Sequence, residues 1–394
     1  MILDRTIATF TIVILLFISS HSFGQHVNEY KEISEALKSP EKVTKLNLSD
    51  KQLEAIPTEV FQFTNLEVLI LNKNKIQTIP NDISKLTKLK ELHIGKNTIK
   101  VLPEGLFELV NLEKIVLALN HIHEIPESIS KLKKLRLLEL SYNKIHTIPV
   151  TLTQLPELKY LFLSHNHIKE IPNEISNLTK LQKLSFWEND IHTLPDDIGN
   201  LTNLRYLSLG FNSIKKLPIS IGKLVNLQTL DLFSNQISLL PDEISQMTNL
   251  ATLQLAFNHI DKLPESFGNL TKLRELNMHK NKLSELPKNF SMLKSLQTLV
   301  LDLNHITDLP KDFGELESLQ SFFSSYNKLS ALPKSMAKME NLKVLDCSFN
   351  KIKTLDDKVF PKSLDAIYLK GNTIPHEVTE KVKSKLPETT KIVL

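Results

Sequence analysis

Residues 66–88 read LEVLILNKNKIQTIPNDISKLTK, and residues 89–111 read LKELHIGKNTIKVLPEGLFELVN. Both stretches are 23 residues long, and they align without a gap. Thirteen prolines keep this spacing from Pro57 to Pro333, and thirteen asparagines keep it from Asn74 to Asn350. A fixed period of this length predicts a solenoid, in which each repeat stacks only on its neighbours.

Each repeat follows the pattern L-x-x-L-x-L-x-x-N-x-I-x-x-I-P-x-x-I-x-x-L-x-x, and we count its positions from the first Leu. The alternation around positions 4 and 6 predicts a short strand, and successive strands would form one parallel sheet. The Asn at position 9 can hydrogen-bond to backbone groups of the turn and of the neighbouring coil. The Pro at position 15 fixes φ where the chain crosses to the other side, where a helical or 3₁₀ turn is predicted.

This pattern resembles the leucine-rich-repeat family in its 23-residue form, over residues 43–372 and about fifteen units. The resemblance implies an α/β fold: a right-handed solenoid, or horseshoe, with a parallel concave β-sheet and short helical or 3₁₀ segments on the convex side. Residues 35–49, EALKSPEKVTKLNLS, are similar to the N-terminal entry of exported bacterial members of the family.

The N-terminus predicts export. Arg5 precedes an apolar run over residues 7–18, and Ser22 and Gly24 occupy the small-residue positions before Gln25. This is the layout of a secretory signal peptide over residues 1–24, with cleavage after Gly24. The run is shorter than the roughly 20 residues that cross a bilayer, so no membrane span is expected after cleavage. The mature protein is then secreted, periplasmic or held at the cell surface.

Capping segments are predicted at both ends of the repeats. Residues 25–42 are expected to form an N-terminal capping helix, because Tyr30, Ile33 and Leu37 recur at helical spacing until Pro40. Residues 373–394 are expected to form a C-terminal cap, with a helix around Val382 followed by a last strand.

Composition and motifs exclude several function classes. The net charge is only +4, and Lys and Glu alternate along the chain, so no nucleic-acid partner is expected. The histidines recur at fixed places in separate repeats, and Cys347 stands alone, so neither a metal site nor an internal disulfide is predicted. Phosphate-binding loops and catalytic motifs are missing from the sequence, which predicts a protein that is not an enzyme and uses no cofactor. We expect the protein to be a monomer.

Positions 3, 5, 7 and 8 of the repeat are predicted to face outward from the concave side. In the central repeats they bring aromatic side chains onto neighbouring strands, with Gly210 leaving space between two of them, and we predict a partner-binding patch of Tyr160, Phe162, Trp187, Tyr206 and Phe233. Aromatic residues at position 8 recur throughout this chain, as at Phe211 and Phe257, and are expected to pack along the sheet edge instead.

The leading hypothesis is a non-enzymatic binding protein whose concave sheet holds a protein or peptide. The first alternative is an envelope or cell-surface glycan binder, in which Trp187 and nearby rings stack on sugars. The second is a cytoplasmic signalling scaffold, similar to the leucine-rich-repeat proteins that associate with Ras-type GTPases, which would require that residues 1–24 are no signal peptide. The third is an enzyme acting through a polar residue of the concave face.

Overall fold

In a computed structural model of the chain, the structure describes residues 29–356 and 359–393. The predicted signal peptide and its cleavage site lie outside these residues. The described chain forms one continuous solenoid from the first strand to the last, as the 23-residue period predicts.

The sheet is parallel, and each strand pairs with the strands before and after it in the sequence. The register follows the repeat, since Leu69 pairs with Leu92 and Leu230 pairs with Leu253, each one period further on. Within the described residues there are seventeen strands: β1 Glu29–Tyr30, β2 Lys45–Asn47, β3 Val68–Ile70, β4 Glu91–His93, β5 Lys114–Val116, β6 Leu137–Glu139, β7 Tyr160–Phe162, β8 Lys183–Ser185, β9 Tyr206–Ser208, β10 Thr229–Asp231, β11 Thr252–Gln254, β12 Glu275–Asn277, β13 Thr298–Val300, β14 Ser321–Phe323, β15 Val344–Asp346, β16 Ala366–Tyr368 and β17 Lys391–Val393. The predicted parallel solenoid sheet is confirmed.

The convex side consists of short 3₁₀ helices, most of which begin directly after the repeated proline. Pro80 has φ −74°, and its carbonyl accepts a hydrogen bond from Ile83 N at 3.1 Å. The ring therefore sets the backbone angle at a place where no N–H is needed. The 3₁₀ helices of the described residues are Pro40–Lys42, Thr58–Gln62, Asn81–Lys85, Glu104–Glu108, Glu127–Lys131, Val150–Gln154, Asn173–Asn177, Asp196–Asn200, Ile219–Lys223, Asp242–Gln246, Phe267–Asn269, Phe290–Met292, Phe313–Glu315 and Lys334–Lys338.

The core is a single apolar column between the sheet and the convex turns. Leu92 and Ile94 of one repeat are completely buried, as are Ile99 and Leu106 on its convex half. Every repeat buries the same set of positions against its neighbours, so the array needs no large globular core. The side chains at positions 3, 5 and 7 point away from this column, toward the concave side.

Buried asparagines at position 9 tie each repeat to the one before it. Asn97 Nδ2 donates to the carbonyls of Leu71 (3.0 Å) and Ile94 (3.1 Å), and its Oδ1 accepts from Ile76 N (3.0 Å). Leu71 and Ile76 belong to the preceding repeat, so the amide joins two repeats through backbone groups that would otherwise be buried without partners. This agrees with the role predicted for the repeated Asn.

The two ends differ from the repeats in structure. At the N-terminus the helix α1 covers Ile33–Ala36 only, and Pro40 begins the first 3₁₀ helix, so helix occupies a small part of the segment 25–42 in which it was predicted. Strand β1 lies before it and pairs with β2, which extends the sheet. At the C-terminus the helix α2, His376–Lys383, precedes β17, which pairs with β16.

Candidate functional site

A left-handed turn follows every repeat strand. Fourteen residues at position 8, from Asp50 to Phe349, have φ between 51° and 59°, and the fifteenth, Gly371, has φ 78°. Residues other than Gly, Asn and Asp seldom adopt this conformation. The turn brings the side chains at positions 7 and 8 to the same rim of the concave face, where the strands end.

Four aromatic rings on this rim form a continuous row, which we call the aromatic strip: Trp187, Phe211, Phe233 and Phe257. The ring centroids are 5.0 Å apart for Trp187 and Phe211, and 5.1 Å apart for each of the next two neighbouring pairs along the row. Trp187 and Phe233 also stack, with centroids 6.0 Å apart and planes inclined by 22°. These separations and tilts are those at which aromatic rings attract each other.

The strip takes one ring from each of four consecutive repeats, alternately from position 7 and position 8. Where position 8 supplies the ring, position 7 is small: Gly210 precedes Phe211, and Ala256 precedes Phe257. The close approach is visible at Gly210, where a Cβ atom would lie 2.4 Å from Trp187 Cζ3. The glycine is therefore needed for Trp187 to lie across the neighbouring repeat.

The strip is open to solvent and has polar neighbours at its C-terminal end. Phe211 is 38% exposed, and the other three rings are half-buried. His279 lies 5.2 Å from the Phe257 ring, and Lys280 Nζ lies 4.8 Å above that ring. Burial lowers the pKa of His279, which favours the neutral imidazole beside the apolar rings.

The structure joins only two of the five residues of the predicted patch. Trp187 and Phe233 stack, whereas within residues 29–356 and 359–393 no ring contact joins Tyr160, Phe162 or Tyr206 to them. Tyr160 and Tyr206 are half-buried at position 3, where the Tyr160 hydroxyl donates to Gln182 Oε1 at 3.3 Å. These two side chains flank the strip rather than forming part of it.

The expectation that Phe162 projects into solvent was wrong, because Phe162 is only 8% exposed. It is the last residue of β7, and the side chains at position 5 of the two neighbouring strands stand about 5 Å away on each side and cover it. Position 5 is buried from Val116 to Gln254, so this row forms the floor of the concave face.

Sequence reasoning discounted Phe211 and Phe257 because they occupy position 8. Phe211 instead contacts the rings of Trp187 and Phe233, and Phe257 contacts the ring of Phe233. The signal that could have identified them is the small residue before each one, since Gly210 and Ala256 leave the rim open for the next side chain. An aromatic residue at position 8 therefore needs to be read together with position 7.

Two buried carboxyl groups occupy position 5 of the concave floor. Asp231 Oδ1 accepts from Phe233 N at 3.0 Å, and Oδ2 accepts from Ser208 Oγ at 3.2 Å. Glu139 Oε1 accepts from Ser141 N at 2.7 Å. Burial raises the pKa of each carboxyl to about 7, against the hydrogen bonds, which lower it.

A second aromatic group lies further along the same rim, and we call it the C-terminal pair: Tyr326 and Phe349. Their rings stack with centroids 4.4 Å apart and planes inclined by 13°. They are 51% and 40% exposed, and both occupy position 8. A Cβ atom on Gly371 would lie 2.5 Å from Phe349 Cδ1, so here too a ring rests on a glycine of the next repeat.

The described part of the chain contains no group of three or more His, Cys, Asp or Glu side chains that could hold a metal ion. No helix among the same residues is long and apolar enough to cross a membrane.

Comparison with protein families identifies the repeats. A profile described as a leucine-rich repeat region matches residues 192–282 and 265–366, and a profile described as a leucine rich repeat matches residues 41–99, 87–145 and 110–168. A third, for two copies of leucine rich repeats, matches residues 156–200. The chain belongs to the leucine-rich-repeat family. A search of curated proteins found no match.

Solved structures agree with this assignment. The leucine-rich-repeat protein LIC12759 of Leptospira interrogans is 32% identical with a TM-score of 0.83, and the match covers 93% of this chain and 100% of that one. An internalin of Listeria monocytogenes is 23% identical, with a TM-score of 0.67 and coverage of 92% and 93%. The plant peptide hormone receptor RGFR1, in complex with RGF2, is 25% identical, with a TM-score of 0.63 and coverage of 94% and 72%.

Proposed function

We propose that this leucine-rich-repeat protein is an exported, non-enzymatic binding protein that holds a protein or peptide against its concave face. Its contact site is the aromatic strip, flanked by Tyr160 and Tyr206. The proposal also includes removal of residues 1–24 as a signal peptide, which leaves residues 25–42 and 373–394 as caps on the repeats of residues 43–372.

The aromatic strip is the observation that supports binding. Four rings, each in contact with the next, form an apolar row along the rim of the sheet. A contiguous apolar row exposed to water is unfavourable unless a partner covers it, and aromatic side chains dominate the binding energy of most interfaces. Because the strip is held by the strands and by its own ring contacts, little conformational freedom is lost on binding.

The comparisons support a protein or peptide as the partner. Repeat solenoids use their concave surfaces as extended binding sites. One of the similar solved structures is a peptide hormone receptor in complex with RGF2, and that match covers 94% of the present chain. A peptide lying along the rim would contact the four rings in order, one from each repeat.

The binding test compares two pairs of rings on the same rim. Wild-type protein, a Trp187→Ala/Phe233→Ala variant and a Tyr326→Ala/Phe349→Ala variant serve as baits in extracts of the cell envelope and culture medium. Loss of two central rings should weaken capture of the specific partner by about 2 kcal/mol or more, roughly 30-fold, because hot-spot aromatics have effects of that size. The second variant removes two stacked rings from the same rim and is the matched control.

Equal capture by all three baits would refute the strip as the binding site. Capture that soluble oligosaccharides abolish would instead favour the glycan alternative. Export is tested separately by fractionating cells and sequencing the N-terminus of the recovered protein: a start at Gln25 outside the cytoplasm is expected, and a start at Met1 in the cytoplasmic fraction would favour the cytoplasmic scaffold.

A further inference from the structure

Glu139 stands on the concave floor, outside the apolar core. It is the last residue of β6 and occupies position 5, whereas its neighbours Leu138 and Leu140 point into the core and are buried. Only other side chains of the concave face cover Glu139, which is 1% exposed. A glutamate has three rotatable side-chain bonds, so a ligand reaches the carboxylate only when Glu139 and the side chains that cover it change rotamer.

Half of this carboxylate has no partner. Oε1 accepts from Ser141 N at 2.7 Å, whereas Oε2 makes no hydrogen bond to residues 29–356 and 359–393; the Ser141 hydroxyl, which acts to lower the pKa of this carboxyl, is also buried without a partner. A buried polar atom without a partner is costly, and the cost is larger for a charged group. Glu139 Oε2 and Ser141 Oγ together form a polar site that a donor from a bound partner can complete.

Asp231 shows that this gap is particular to Glu139. The aspartate occupies the same position four repeats further on and is equally buried. Both of its oxygens accept hydrogen bonds, because Ser208 stands next to it on β9 and Phe233 N faces it from the following turn. The neighbours of Glu139 in the same register are Val116 and Phe162, which offer no side-chain donor.

The basic side chains around Glu139 are engaged elsewhere. Lys114, at position 3 of the preceding strand, lies 3.9 Å from the Glu91 carboxylate. Arg136 pairs with Glu113 at 3.2 Å. Neither Lys114 nor Arg136 therefore supplies the missing donor.

We propose that Glu139 receives a basic side chain, arginine or lysine, from the bound protein or peptide. This inference rests on the proposed function, since it places the occupant on the concave face. A guanidinium or ammonium group supplies both the donor and the positive charge that Oε2 lacks. The long apolar stem of such a side chain fits the walls of the site, which are Val116, Phe162 and the half-buried Leu137. The partner then crosses the concave face from Glu139 to the aromatic strip.

The test uses full-length protein with methyl-labelled valine and leucine, and Nα-acetylarginine amide as the probe. The methyl resonances of Val116 and Leu137 report on the site by NMR. The spectra are recorded at pH 8, because the raised pKa leaves part of the carboxyl protonated at pH 7. Nα-acetylcitrulline amide, which has nearly the same shape and no charge, is the matched control probe.

Arginine amide should shift both methyl resonances in a saturable way, at least 10-fold more strongly than citrulline amide. Glu139→Gln should abolish the difference between the probes, while Asp231→Asn should retain it. Equal effects of the two probes, or an unchanged arginine effect in Glu139→Gln, would overturn the proposal. Loss of the effect in Asp231→Asn as well would also overturn it, because the response would then reflect the general charge of the face.

Selection of displayed peptides on the wild-type protein separates this inference from the proposed function. We expect selected peptides whose binding depends on Trp187 and Phe233 to carry arginine or lysine. These peptides should bind the Glu139→Gln variant at least 10-fold more weakly than the wild type. Strip-dependent peptides that bind Glu139→Gln equally well would refute the basic-residue site and leave the proposed function intact. Peptides that ignore the strip would count against the proposed function, and the arginine-amide titration would still decide the role of Glu139.

Discussion

The aromatic strip and the C-terminal pair occupy the same rim of the same sheet, yet they are built differently. The strip alternates between positions 7 and 8 and joins four rings, whereas the pair uses position 8 twice and ends on Gly371. The left-handed turn at position 8 is common to both. The repeat therefore gives every rim residue at position 8 the same backbone conformation. The side chain at position 7 then decides whether separate ring pairs join into one continuous row of aromatic rings.

The largest effect is expected at the asparagines beneath the two groups. Asn212 Nδ2 donates to Phe186 O, Leu209 O and Gly210 O, and its Oδ1 accepts from Ile191 N; Asn350 makes the four equivalent contacts six repeats further along. Replacing either by Ala leaves several backbone groups unpaired and should lower the free energy of unfolding by about 3 kcal/mol or more. Urea denaturation measures the loss.

Partner binding measured in the same two variants, Asn212→Ala and Asn350→Ala, distinguishes the aromatic strip from the C-terminal pair. Asn212→Ala should also weaken binding, because Asn212 holds the turn at Gly210 on which Trp187 rests. Asn350→Ala should destabilise the protein by a similar amount without weakening partner binding. Similar binding losses in both variants would show that the strip has no special role.

Glycine replacements should give the next largest effect, and they should differ between the two groups. Gly371→Ala places a Cβ 2.5 Å from Phe349 in a residue with φ 78°, so ring displacement adds to a backbone cost of about 1–2 kcal/mol. Gly210→Ala meets Trp187 at 2.4 Å without a positive φ, so only the ring must move.

Two measurements check this prediction. Thermal unfolding should show the larger loss of stability in Gly371→Ala, and tryptophan fluorescence should change only in Gly210→Ala, because the chain has one tryptophan. A fluorescence spectrum unchanged in Gly210→Ala would contradict the close packing of Trp187 on that glycine.

The smallest effect concerns pH and the carboxyl groups beside the two aromatic groups. Burial raises the pKa of Asp231 from 3.8 to about 7. It also raises the pKa of Asp302 from 3.8 to about 6, and Asp302 lies beside the C-terminal pair, where its Oδ1 accepts a hydrogen bond from Ser325 N. In that window the folded state binds more protons than the unfolded state, so the free energy of unfolding falls as the pH rises.

Asp231→Asn should reduce this fall between pH 4 and about 7 by on the order of 1 kcal/mol, and Asp302→Asn should reduce it less and over a narrower window. Urea titrations at a series of pH values measure both slopes. A wild-type slope retained in Asp231→Asn would show that its carboxyl is not protonated more readily in the folded state.

Most of the fold could be predicted from the sequence because the information is local and repeated. Positions 4, 6, 9 and 15 each have one physical role that the repeats share. Thirteen asparagines occupy position 9, and thirteen prolines occupy position 15. At the N-terminus the same reasoning overextended a helix, because the spacing of Tyr30 and Ile33 does not show that Tyr30 pairs with Leu46 in the sheet.

The candidate site was only partly predictable because it depends on relations between repeats. Trp187 and Phe233 were identified from their outward positions, and they do stack. Phe211 and Phe257 were missed since their orientation depends on a small residue at position 7, and Phe162 was taken as exposed since its cover comes from neighbouring strands. The orphan oxygen of Glu139 is visible only when the side chains opposite it are placed.

The asparagine ladder has a mechanical consequence. Each asparagine amide hydrogen-bonds to the backbone of the repeat before it. When a repeat at the C-terminal end unfolds, the preceding repeat therefore loses two backbone hydrogen bonds. Stretching the molecule from that end should therefore unzip it one period at a time. Each step would release 23 residues, or about 80 Å of extended chain. The solenoid would therefore extend in steps of equal length.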